Sequence, residues 1–270
     1  MKETADAEPV VVGVDGSKQA LRAARWAAVE AASRDATLRL IYVIESDESQ
    51  PQESIDRAQH ALHKAWVAVS DTNIDVKVES EIASGRAADC LIEESRHASL
   101  VCLGHRGLHE SPENPRGSTA AEVAQRAGGS VAIIHRPHAK GVIDRRKWIV
   151  VVLDESDSAT TALNAARSEA VLRHAPILVL ESWSHANAAG NPHHPVRVAL
   201  NRLLKDAGHS DITSVTLPRP DHLAHLLQQS ASIDQLVIVA GDHAGLVEEL
   251  TNGQTRKILH DSDCSLLFVR

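Results

Sequence analysis

Short apolar runs recur along the chain, and between them lie longer segments whose apolar residues return every three or four positions. The run at 10–14, Val10-Val11-Val12-Gly13-Val14, ends on Asp15-Gly16-Ser17 and predicts a buried strand closed by a turn. The segment 18–33 follows, with Leu21, Ala24, Ala28 and Ala31 at helical spacing, and Asp15 or Ser17 stands where an N-cap belongs. A strand is expected at 37–44, and then a helix at 53–70 with Ile55, Ala58, Leu62, Ala65, Trp66 and Val69 on one stripe. A strand at 75–82 leads through Ser84-Gly85 to a helix carrying Ala88, Leu91, Ile92 and Ser95. A strand at 100–103, a helix at 118–127 and a strand at 131–135 complete the series. Strands that alternate with helices of this length predict a mostly parallel sheet covered on both faces.

The series then repeats. VVVGVDGS at 10–17 is matched by IVVVLDES at 149–156, LVCLGHRG at 100–107 by LVIVAGDHAG at 236–245, and SVAIIHR at 130–136 by CSLLFVR at 264–270. The second half is expected to run through strands at 148–153, 176–182, 211–217, 235–240 and 265–269, with helices at 158–173, 195–207, 221–230 and 254–260. A tandem duplication of one α/β domain explains both the offset and the length. The stretch 136–147, RPHAKGVIDRRK, carries Pro, Gly and a charge run and reads as the connection. The domains are expected at 1–138 and 147–270, with a linker at 139–146.

Composition narrows the chemistry. With six aromatic residues in 270, the core must be built from Ala, Val, Leu and Ile. The formal net charge of −8 argues against a nucleic-acid binder that neutralises phosphates. No stretch approaches the roughly 20 apolar residues of a membrane span, and the polar start MKETADAEPV lacks a signal-peptide core. A soluble, cytoplasmic protein is therefore expected. Cys90, Cys102 and Cys264 are scattered and form no CxxC pair, so neither a disulfide framework nor a cysteine–zinc site is expected. Sixteen histidines include the close pairs His60/His63, His105/His109, His193/His194 and His222/His225. No third ligand stands beside any pair, so exposed polar residues or a pH response explain them better than a metal.

The candidate chemistry lies at GHRGLHESPENPRGS, 104–118, between an apolar run and a helix. Gly104, Gly107 and Gly117 leave backbone N–H groups uncovered, and Ser118 opens a helix whose N-terminus favours an anion. Taken by themselves the residues leave two readings open, a phosphate cradle and a plain surface loop. No GxSxG, HExxH or Walker lysine occurs, and capping explains Asp15-Gly16-Ser17 better than a nucleophile does.

The pattern VGVDGS, then Gly104-x2-Gly107-x9-Gly117-Ser118, resembles the universal stress protein family, and the whole chain resembles a tandem, two-domain member of the actinobacterial type. The resemblance implies two flavodoxin-like or Rossmann-like doubly wound domains, each a five-stranded mostly parallel sheet in the order 3-2-1-4-5. It implies ATP binding, with or without Mg2+, in members that keep the motif. By position, Asp15 and Val43 would lie near adenine and ribose, Gly104, Gly107, Gly117 and Ser118 would hold phosphates, and Gly13, Val14, Arg106 and Thr119 would line the site. It further implies a homodimer of tandem chains and a regulatory protein partner, with hydrolysis slow at most.

Two departures qualify that expectation. The insert LHESPENPR places Glu110 and Glu113 where a triphosphate would pass, with Arg106 and Arg116 to offset them. In the second half the loop runs Gly241-x3-Gly245-x7-Gly253-Gln254, so both spacings and the hydroxyl are lost, and Glu155 stands where Gly16 stood. The second half is expected to be structural. The alternative for the whole chain is a nucleotide-free scaffold of the same fold, working by dimerisation and partner binding.

Overall fold

The computed structural model describes residues 7–45, 51–105, 119–135, 147–153, 159–182, 212–217, 234–240 and 264–270. The chain divides into two compact units, Met1–His135 and Arg136–Arg270.

In the first unit β1 (Val10–Gly13), α1 (Lys18–Ser33), β2 (Leu38–Ile44), α2 (Pro51–Ser70), β3 (Val78–Ser84), α3 (Ala87–Glu94), β4 (Leu100–Gly104), α4 (Thr119–Arg126) and β5 (Val131–Ile134) follow in order. The strands lie in the order β3-β2-β1-β4-β5, and every neighbouring pair is parallel. This is the doubly wound α/β class expected from the sequence. The chain moves from β1 outward to β3, then jumps back to β4 and on to β5. With right-handed crossovers that reversal puts helices on both faces, and α1 packs against α2 while α3 packs against α4.

Small side chains set the layer spacing. Ala20, Ala23, Ala24, Ala27, Ala28 and Ala31 are the buried apolar residues of α1, which lies on β1, β2, β4 and β5. In α2 the buried apolar residues are Ala58, Ala61, Leu62, Ala65, Ala68 and Val69. Ile55 and Trp66, expected on the core stripe, are instead exposed at 36% and 47%. Alanines occupy the centre of the contact face, and the two large residues fall to its flanks. The third strand is also shifted. It is expected at 75–82, yet it starts at Val78 and runs on to Ser84. Its partner β2 begins at Leu38, paired with Val78, and ends at Ile44, paired with Ser84. Pairing, not alternation, decides where an edge strand begins.

In the second unit β6 (Lys147–Leu153), α5 (Ala159–Arg173), β7 (Ile177–Ser182), β8 (Ile212–Leu217), β9 (Asp234–Ala240) and β10 (Cys264–Val269) form a parallel sheet in the order β8-β7-β6-β9-β10, the same path as the first. The helices expected at 195–207, 221–230 and 254–260 lie outside the described residues.

The duplication extends to details that periodicity does not reveal. Glu30 is fully buried on α1 and accepts from Arg34 at 2.5 Å; 139 positions later, Glu169 is buried on α5 and accepts from Arg173 at 2.8 Å. One residue beyond each arginine, Asp35 and His174 both take φ +51. The next residue closes the helix in the same way in both halves, Ala36 N–H donating to Ala31 and Ala175 N–H to Ala170.

Candidate functional site

The site is built at the carboxyl edge of the first sheet. There β1 gives way to Val14-Asp15-Gly16-Ser17 and α1. Val14 N–H donates to the Ile41 carbonyl at 2.8 Å, which carries the ladder one residue past β1. The Asp15 carboxylate accepts from Ser17 N–H at 2.9 Å, and the buried Ser17 hydroxyl accepts from Ala20 N–H at 3.1 Å. Gly16 turns the chain between them at φ +85, a conformation that favours glycine. Ser17 is thus the N-cap and Asp15 braces the turn that precedes it, so the Asp-Gly-Ser stretch is a built helix start.

The ladder registers place the other candidates. Val12 pairs with both Leu40 and Cys102, and Gly104 pairs with Ile134. Extending those registers sets Asp15 level with Val43 of β2 on one side and with His105, just past β4, on the other. Asp15, Val43, Gly13, Val14 and Gly104 are therefore gathered around the point where the crossovers reverse. Thr119 opens α4, the helix that follows the glycine loop. Arg106, Gly107, Gly117 and Ser118 lie outside the described residues, as do Glu110 and Glu113 of the acidic insert.

Two of the site glycines also have a packing reason. A Cβ on Gly104 would lie 2.8 Å from the carbonyl carbon and from Cβ of Gln19, and 3.0 Å from Ala20 N, in the first turn of α1. A Cβ on Gly13 would lie 2.6 Å from Leu103 Cδ2. Gly104 lets the end of β4 lie directly on the helix that Ser17 caps.

Beside Asp15 the structure brings together two histidines that spacing does not connect. His105 was grouped with His109, which lies outside the described residues. Its ring instead packs on that of His135 at the end of β5, with centroids 3.7 Å apart and planes inclined by 31°. His105 N–H donates to the Ile134 carbonyl at 3.2 Å, tying the start of the glycine loop to β5. Only the pairing of β4 with β5 brings the two rings together. His63, the partner expected for His60 on α2, stacks on Trp66. Among the described residues no three His, Cys, Asp or Glu side chains are grouped to hold a metal ion.

With this geometry in place, the chain can be compared with known proteins. The universal stress protein Rv2028c of Mycobacterium tuberculosis is 35% identical over 269 residues, covering 96% of this chain and 95% of its own. The chain belongs to the universal stress protein family. The family model, described as universal stress protein family, matches residues 7–135 of this universal stress protein. Rv2624c of the same organism, also a universal stress protein, is 30% identical and covers 97% of this chain and 96% of its own. The crystal structure of a universal stress protein from Archaeoglobus fulgidus aligns with 98% of this chain and 97% of its own at a TM-score of 0.72, and at 15% identity it speaks for the fold alone.

A cluster of charged side chains joins α3 to α4 in this universal stress protein, and no sequence spacing marks the pair that crosses between the helices. Gly85, at φ +139, closes β3 by donating its N–H to the Ile44 carbonyl, and Arg86 follows as the N-cap position of α3. Arg86 reaches across to α4 and grips Glu122 with both guanidinium nitrogens, one of them at 3.0 Å from Oε1. The same arginine donates to Asp89 at 3.0 Å, and Arg126 donates to Glu122 at 2.5 Å and lies 3.5 Å from Asp89. The hydrogen bond from Arg86 holds the Glu122 carboxyl below its ordinary value, against partial burial, and Arg126 adds to the effect. Burial and the negative charge of Asp89 push the Cys90 thiol on α3 up. No helix among the described residues is long and apolar enough to cross a membrane.

Proposed function

We propose that the first half of the chain binds an adenine nucleotide, ATP with or without Mg2+, and that the bound state alters a surface read by a regulatory protein partner in the cytoplasm during the stress response. One observation carries this reading. Asp15, Val43 and the start of the glycine loop end at one level of a parallel sheet, at its switch point, which is where open α/β sheets take ligands. In this reading Asp15 and Val43 hold adenine and ribose, and Gly13, Val14, Arg106 and Thr119 line the site. Gly104, Gly107, Gly117 and Ser118 hold the phosphates, with the first amides of α4 aimed at them. The loop carries no lysine of the Walker type, so turnover of ATP is slow at most. The second half, whose loop has lost both spacings and the hydroxyl, serves the architecture, and two tandem chains pair as a homodimer.

A second reading has an observation of its own. Gly13 and Gly104 are both accounted for by packing alone, as they would be in a nucleotide-free scaffold that works by dimerisation and partner capture. The two readings separate on purified protein. Nucleotide released by denaturation and identified by chromatography, together with rebinding on add-back that Gly117→Asp abolishes, supports the sensor. Absence of adenine nucleotide with no rebinding in the millimolar range leaves the scaffold.

A further inference from the structure

We infer that Arg86 is a positioning residue of the nucleotide site, holding the first turn of α4 and neutralising the carboxylate that this turn carries. The inference rests on the reading that α4 receives phosphate at its N-terminus.

The two ends of α4 are held against α3 by different means. At the far end the Ser95 hydroxyl, itself buried, donates to the Ile92 carbonyl and accepts from Gly128 N–H at 2.9 Å. There a side chain on Gly129 would strike the Ser95 carbonyl oxygen, so backbone meets backbone. At the near end α4 begins Thr119-Ala120-Ala121-Glu122, and Arg86 grips Glu122 there. Arg86 sits at the turn out of β3 that Gly85 shapes, and Gly85 is bonded to the end of β2, the strand of Val43. The arginine thus connects the edge bearing Val43 to the helix that follows the glycine loop.

Charge makes the same point. Glu122 is the acidic residue in the first turn of α4, three positions after Thr119. A free carboxylate there is well placed for the helix dipole but repels a phosphate approaching the same amides. Two guanidinium groups cover it, from Arg86 and from Arg126 one turn on. The repeat supplies an internal comparison. Aligning Gly117-Ser118-Thr119 with Gly253-Gln254-Thr255 sets Ile258 at the position of Glu122. The half that lost the glycine motif carries no acid at that position.

The test uses the full chain with Arg86→Gln, Arg86→Lys, Glu122→Gln and the Arg86→Gln/Glu122→Gln double variant. Two readouts are taken: ATP affinity by titration calorimetry, and amide hydrogen exchange of residues 119–126 without nucleotide. Arg86→Gln is expected to weaken ATP binding by up to about fivefold, the scale of a full charge at a helix start, since Arg126 still covers part of Glu122. It should also speed exchange of the helix-bonded amides of α4 at 123–126 while leaving 127–130 unchanged. Arg86→Lys should recover part of the affinity, since lysine restores the charge but not the two-pronged grip. The double variant should bind more tightly than Arg86→Gln alone, because the exposed acid is gone. Unchanged exchange at 123–126 in Arg86→Gln overturns the positioning claim, whatever the nucleotide result. A double variant no better than Arg86→Gln overturns the neutralising role. Wild-type protein that binds no ATP but shows the expected exchange change refutes the nucleotide reading and leaves the helix anchor standing.

Discussion

Replacing Gly104 by alanine tests how β4 delivers the glycine loop. The added Cβ would sit 2.8 Å from two carbon atoms of Gln19 and 3.0 Å from the nitrogen of Ala20. Carbon atoms in good contact lie about 3.5–4.0 Å apart, so the shortfall is roughly 0.7–1.2 Å. The obstructing atoms belong to, or sit directly on, the main chain of α1, in a first turn fixed by the Ser17 cap. None is the far end of a side chain that can swing away. The end of β4 and the start of α1 must separate, at a cost of about 1–3 kcal/mol. Gly13→Ala provides the control. Its Cβ meets a closer atom, at 2.6 Å, but that atom is the terminal methyl of Leu103, with the Leu91 methyl at 3.1 Å. Leucine methyls can change rotamer, so about 0.5–1.5 kcal/mol is expected. The variant with the shorter clash is therefore the milder one. Urea unfolding followed by circular dichroism measures both. With a slope of about 1–3 kcal/mol per molar, a 2 kcal/mol loss lowers the midpoint by about 1 M. A Gly104→Ala midpoint equal to wild type, or a Gly13→Ala loss larger than that of Gly104→Ala, refutes the packing argument.

Three further outcomes follow from individual contacts. Ser17→Ala removes the acceptor for Ala20 N–H and should lower the stability of the first half by about 1 kcal/mol in the same urea assay, with Ser17→Asp restoring most of it. Arg34→Met and Arg173→Met each leave a buried glutamate without its arginine and should destabilise their own halves by about 1–3 kcal/mol, visible as slower-to-faster exchange confined to the half that carries the change. The Glu122 carboxyl is held below its ordinary value, so its contribution is complete above the unfolded value near 4.5 and disappears as pH falls through the folded value. The stability advantage of wild type over Glu122→Gln should accordingly be constant from pH 7 to about 5 and shrink below it; an advantage that grows on acidification contradicts the sign.

Much of the architecture was legible because apolar runs and helical stripes are local. Val10-Val11-Val12 and Leu100-Val101-Cys102-Leu103 became the central strands β1 and β4, and the Asp15–Ser17 turn became a cap. What escaped depended on partners distant in sequence. The limits of β3 are set by β2, which no alternation within β3 can report. Trp66 left the core because the contact face of α2 was already lined with alanine. Glu30 and Glu169 lie among the buried alanines of α1 and α5, and a signal was available: Glu-x3-Arg recurs at an offset of 139 in both halves. Of the candidate site, Gly13, Val14, Asp15, Val43 and Gly104 share one edge because each lies within two residues of its strand's carboxyl end, a position readable from the sequence. The His105–His135 contact and the grip of Arg86 on Glu122 join elements about 30 and 36 positions apart, and nothing in the spacing foretells them.

The most direct test is the number of nucleotides bound per chain. Titration calorimetry of the 270-residue protein with ATP, after removal of any carried-over nucleotide, should give one site per chain, lost in Gly117→Asp and untouched by substitution of Gly253. No binding, two equal sites, or a single site that depends on Gly253 would contradict an account in which only the first half keeps a working phosphate cradle.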